Sequence, residues 1–114
     1  MNPRILKYIL DILSVIDEME RLLEKIDRNF IRFSEDFTAI RTAERDLEIV
    51  GEALNKLKKE NPQISISDSK KIISLRNLII HSYDSVDNEI IWGILIKDIP
   101  RLKKELQKLK SQEL

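Results

Sequence analysis

The chain has 114 residues and no cysteine. Disulfides, thiolate metal sites and a cysteine nucleophile are excluded together. The absence is compatible with a reducing compartment without proving one, and the cytoplasm is the expected location. One histidine and no cysteine leave zinc without a ligand set. The acids are scattered along the chain rather than clustered, which argues against a two-metal nuclease. No metal or other cofactor is expected. Two glycines and three prolines are too few for the many turns of a β-sandwich. Charge of one sign is also missing. Twenty basic residues balance twenty acidic ones. A protein coating nucleic acid non-specifically would be basic, so any RNA contact must be local or built by assembly. Long apolar runs are absent too. Lys7, Asp11, Asp17 and Glu18 interrupt the first segment, which is expected to be neither a signal peptide nor a membrane span.

What is present is a mixture, 42% hydrophobic and 35% charged, that suits one soluble domain over residues 1–114, rich in surface helix. Residues 3–27 place Ile5, Ile9, Ile12, Ile16, Met19, Leu23 and Ile26 on one stripe of an amphipathic helix. "DRNFIRFSED" breaks the stripe, and Ser34 is a candidate N-cap for a second helix over about 35–60. That helix carries Phe37, Ile40, Ala43, Leu47, Val50, Leu54 and Leu57 on one face. Arg41, Glu44, Arg45 and Glu48 alternate in sign on a solvated one. Gly51 sits in its middle. A mid-helix glycine costs about 1 kcal/mol relative to alanine, so it points to close approach of another backbone, from a neighbouring helix or a second subunit. Asn61-Pro62 stops the helix. A third helix starts near 69, with Ser67 or Asp68 as its cap, and Asp87 caps the last segment, about 88–111. There Pro100 predicts a kink or break near Asp98. The expectation is an all-α, antiparallel up-down bundle of four to five helices.

The stretch "SLRNLIIHSY" holds the sole histidine, His81, with Arg76 and Asn77 before it and Tyr83 after it. Metal-free RNA cleavage needs a base for the ribose 2′-hydroxyl, an acid for the departing 5′-oxygen, and cations for the phosphorane. Histidine serves as acid or base near neutrality. Arginine offers a permanently charged fork for phosphate oxygens. Asparagine can donate to phosphate or ribose, or fix the imidazole tautomer. On a straight helix Asn77 and His81 share a face, whereas Arg76 and His81 stand roughly 140° apart. A second copy of the helix facing the first would bring both kinds of group to one cleft. The ordinary alternative is a helix-end histidine compensating the dipole and an arginine paired with an acid; by spacing alone, Arg-x4-His is loose enough to favour it.

The sequence resembles the HepT-like toxins of the HEPN superfamily of helical ribonucleases. "RNLIIHSY" looks like their Arg-x4-His-x-Tyr signature. "YILDIL" (8–13), "DLEIVGEALNKL" (46–57), "IISLRNLIIHSYDSVD" (72–87) and "IIWGILIKDIPRLKKEL" (90–106) look like the family in order and spacing. One departure is that the "ISISDS" linker lacks the tryptophan expected there. The resemblance implies a HEPN-like bundle that forms a homodimer, with Arg76 and His81 catalytic and Asn77 at the polar position after the arginine. It implies a metal-independent endoribonuclease acting on RNA, with transfer RNA one candidate. It also implies pairing with a minimal nucleotidyltransferase antitoxin that silences the toxin by AMPylation of Tyr83. The alternatives are a non-catalytic helical subunit that binds nucleotide or docks to a nucleotidyltransferase, and a plain helical dimerisation module.

Overall fold

In the computed structural model, described for residues 2–67, 69–81 and 87–112 with His81 by its backbone alone, the chain is all-α and no strand occurs among the described residues. Helix α1 (Pro3–Lys25) starts where Asn2 Oδ1 accepts the Arg4 N–H at 2.8 Å, with Pro3 in the first turn. Its expected stripe, Ile5 to Ile26, is buried throughout. The helix ends as Asp27 and Arg28 adopt left-handed φ of 55° and 51° and the Arg28 N–H reaches the Leu23 carbonyl at 2.8 Å, a Schellman-type stop.

"DRNFIRFSED" differs from the expectation. It forms a short helix of its own, α2 (Phe30–Glu35), capped by Asn29. Ser34 lies inside it and donates to the Ile31 carbonyl; Asp36 caps the next helix, accepting from the Ala39 N–H at 3.0 Å. The cause is tertiary. Phe33 is fully buried, and its ring lies 5.2 Å from that of Trp92, with Phe30 at 5.8 Å.

Helix α3 (Phe37–Glu60) is the central rod, packed against α1 and α4. It runs antiparallel to α1, since Arg4 and Asn2 at the start of α1 bind Glu60 at the end of α3. Its expected stripe is buried from Ala43 to Leu57 and Ile40 is half-buried, but Phe37 is not part of it; the ring is exposed, with Arg41 stacked 4.9 Å above. Arg41 and Arg45 are exposed and Glu44 and Glu48 half-buried, a largely solvated face as expected.

Helix α4 (Ser69–His81) returns antiparallel to α3 after a linker whose Ile66 plugs into the core. Of its two expected caps, Asp68 lies outside the described residues, and the Ser67 N–H bonds Glu105 at 2.9 Å. Asp87 caps α5 (Asn88–Gly93), which continues through a π-helical turn (Ile94–Asp98) into α6 (Ile99–Gln112). The wide turn sits where Pro100 predicts a kink. Proline has no N–H and its ring crowds the carbonyl four residues back; a π turn, in which the Ile99 N–H reaches the Ile94 carbonyl, accommodates both. Buried Asp98 in that turn pairs with Lys71 of α4 at 2.9 Å. The four long rods of the bundle are thus α1, α3, α4 and the α5–α6 helix, with α2 as an elbow.

Candidate active site

The inward face of α4 is Ile72 and Leu75, both buried, with Ile79 packed at the edge. Arg76 follows Ile72 by one turn and so meets the helix behind it, α3. The meeting point is Gly51. A Cβ at that position would lie 2.5 Å from the Arg76 Cβ, 3.0 Å from its Cγ and 3.3 Å from the Ile72 carbonyl oxygen. No larger residue fits without moving α4. The close approach expected at Gly51 is therefore made by a neighbouring helix of the same chain, and its purpose is to seat the stem of Arg76.

The seated guanidinium is then held at both ends. Arg76 Nη2 forms an ion pair with Glu52 Oε2, and Nη1 donates to Asn77 Oδ1 at 2.9 Å. Nε is buried without a hydrogen-bond partner among the described residues. Glu52 also faces Lys56, 3.9 Å from its other oxygen. The Arg76 side chain remains about one-quarter exposed and Glu52 more so. Before Arg76 opens a cleft of about 570 Å³ between α1 and α3, with Tyr8, Ser14 and Val15 on one wall and Ile49 and Glu52 on the other. A guanidinium at the edge of a cleft this size can reach an anionic group lying in it.

Of the expected site residues, Arg76 and Asn77 are neighbours in sequence and joined by that hydrogen bond. Asn77 is exposed, and as it accepts from Arg76 through Oδ1, its amide N–H groups have no hydrogen-bond partner among the described residues. His81 is the last residue of α4; its side chain, and Tyr83, lie outside the described residues. Sequence reasoning missed Glu52 as the partner of Arg76. The signals were there in part: a glycine without a stated neighbour on one helix, and an arginine expected to seek an acid on another.

About a turn and a half before Glu52 on α3, Asp46 is 2% exposed. Burial pushes its carboxyl up to about 7, and Glu18 of α1 adds to the rise through its charge and a hydrogen bond, against a smaller opposing effect of Arg45. The described residues contain no group of three or more His, Asp or Glu side chains able to hold a metal ion. Among them no helix is long and apolar enough to cross a membrane.

Comparison with known proteins adds to this geometry. The family described as Ribonuclease HepT-like matches residues 12–109. A protein of Caldanaerobacter subterraneus named "Putative RNase TTE0752" is 35% identical over 101 residues, covering 87% of this chain and 90% of that protein. The "Probable ribonuclease HepT" of Thermococcus cleftensis is 32% identical over 109 residues, 89% of this chain and 94% of that one. "Putative RNase MJ1380" of Methanocaldococcus jannaschii is 30% identical over 112 residues, 94% and 98% of the two chains. No solved structure matches the chain significantly.

Proposed function

The chain belongs to the HepT-like ribonuclease family, and on that premise we propose that it is the toxin of a toxin–antitoxin pair, an endoribonuclease that cuts RNA without a metal ion. The observation that carries the reading is Arg76, seated on Gly51 at the edge of the α1–α3 cleft, one helical stretch before the only histidine.

In the reaction the ribose 2′-oxygen bonds to the adjacent phosphorus while the bond from phosphorus to the 5′-oxygen breaks. The 2′-hydroxyl proton goes to a base, and the departing 5′-oxygen takes one from an acid. His81 is the acid/base group. Arg76 binds the phosphate oxygens and offsets the charge of the phosphorane, and Asn77 positions Arg76 and donates to the substrate. One imidazole cannot be free base and charged acid in the same instant, so a homodimer that pools two His81 rings completes the site. The exposed Leu78 and Ile80, on the same helix as Arg76, and Ile90 beyond it are apolar surface suited to that contact.

The antitoxin of this reading is a minimal nucleotidyltransferase that moves AMP to the Tyr83 hydroxyl, releasing diphosphate from ATP. AMP there adds negative charge and bulk close to where an RNA phosphate must sit. The cytoplasm is the compartment this reading requires. The experiment is to incubate the purified protein with end-labelled transfer RNA in EDTA, beside His81→Ala. Fragments from the first and none from the second are expected. Intact RNA, with the protein bound to its nucleotidyltransferase neighbour, would instead make it a non-catalytic docking subunit.

A further inference from the structure

Gly51 and Glu52 are adjacent, and both act on one side chain. The glycine admits the Arg76 stem to within a distance no Cβ would allow, and the glutamate meets the guanidinium at its tip. An arginine side chain carries about 2 kcal/mol of rotamer entropy. An unheld one would sample many directions at the cleft edge. Here the stem is wedged, Nε is buried, and the two terminal nitrogens are each fixed by an oxygen. If the contact were only glue between α3 and α4, a well-packed apolar pair would serve as well or better, because a charge pair must be desolvated.

From this arrangement we propose that Glu52 is the positioning residue for Arg76: its carboxylate aims the guanidinium into the α1–α3 cleft and holds it there for phosphate. The inference rests on the reading of Arg76 as the phosphate-binding group. Glu52 carries a cost, because a carboxylate beside the guanidinium repels the incoming phosphate. Lys56 moderates this. It lies 3.9 Å from the second oxygen of Glu52 and offsets part of that carboxylate's charge while Arg76 stays tethered. Orientation and repulsion have opposite signatures in kinetics. Loss of orientation lowers kcat; loss of a negative charge at the cleft leaves KM unchanged or lower.

The test is Glu52→Gln, which keeps size and an acceptor oxygen but removes the charge. Cleavage of labelled RNA is measured for the wild type, Glu52→Gln, Arg76→Ala and the double variant, with a thermal melt of each and NMR of the arginine Nη groups. The expected result is kcat lower by about 10- to 100-fold with KM unchanged or lower, no further loss when Glu52→Gln is added to Arg76→Ala, and faster rotation of the Arg76 guanidinium. Unchanged kcat in a folded Glu52→Gln protein, or a reduced melting point as the sole effect, overturns the proposal. If the wild type cuts nothing, the nuclease reading falls and takes the catalytic role of Glu52 with it. The NMR arm then still judges the tether: unaltered Arg76 rotation refutes it.

Discussion

Replacing Asp46 by asparagine should make the protein more stable at pH 8 and leave it nearly unchanged at pH 4. Asp46 is 2% exposed, and its Oδ2 has no hydrogen-bond partner among the described residues. Its carboxyl is raised from 3.8 to about 7 by burial and by Glu18. A rise of about 3 units corresponds to about 4 kcal/mol. The sign follows from proton counting. Below pH ~4 both folded and unfolded chains hold the proton and nothing is lost. Between pH ~4 and ~7 the unfolded chain releases it while the folded chain keeps it, so stability falls with rising pH. Above pH ~7 both forms are ionised and the penalty is constant. Four kcal/mol is the ceiling, because relaxation and water penetration lower the effective cost of a buried charge; roughly 2–4 kcal/mol is expected. Asparagine cannot ionise, keeps the volume, and donates an N–H to Glu18. In a domain of this size the gain amounts to roughly 10 °C in melting midpoint at pH 8. Circular dichroism melts of both proteins at pH 4, 6 and 8 measure it. The contributions of groups that do not interact with Asp46 cancel in the difference. A variant destabilised equally at pH 4 and pH 8 would refute the reasoning.

Three further outcomes follow from the packing. Gly51→Ala gains helix propensity worth about 1 kcal/mol but drives a Cβ to 2.5 Å from that of Arg76. Overpacking of about 1–3 kcal/mol wins narrowly, and RNA cleavage drops further than the urea-melt stability does. Phe33→Ala removes a fully buried ring from beside Trp92 and costs about 3–5 kcal/mol. Because Trp92 is the only tryptophan, its fluorescence reports the loss directly. Lys71→Ala leaves the buried Asp98 carboxylate without its 2.9 Å partner, lowering stability by about 1–2 kcal/mol in a urea titration after allowance for the exposed lysine.

Much of the bundle was legible because helical period is a local property. The stripe from Ile5 to Ile26, the stop at Asn61-Pro62, the Asp87 cap and the distortion ahead of Pro100 all arise within one or two turns of chain. Helix α2 was not legible. Six residues carry too few apolar positions to show a period, and what stabilises them is Trp92, some sixty residues away. Phe37 misled for the opposite reason: it falls in phase with the α3 stripe yet sits at the helix start, beyond the edge of the core. At the site, Arg76 was marked as a candidate by its neighbours in sequence. Its geometry came from α3, and a helix–helix contact leaves only a faint local trace, here a glycine that looked out of place.

RNA cleavage by the purified protein in excess EDTA, with His81→Ala alongside, is the most direct measurement of the central claim. Wild type should yield fragments ending in a 2′,3′-cyclic phosphate, as attack by the neighbouring hydroxyl requires, and the variant should yield none while melting at the same temperature. Equal cutting by the variant, or cutting that stops when the chelator is added, would contradict it.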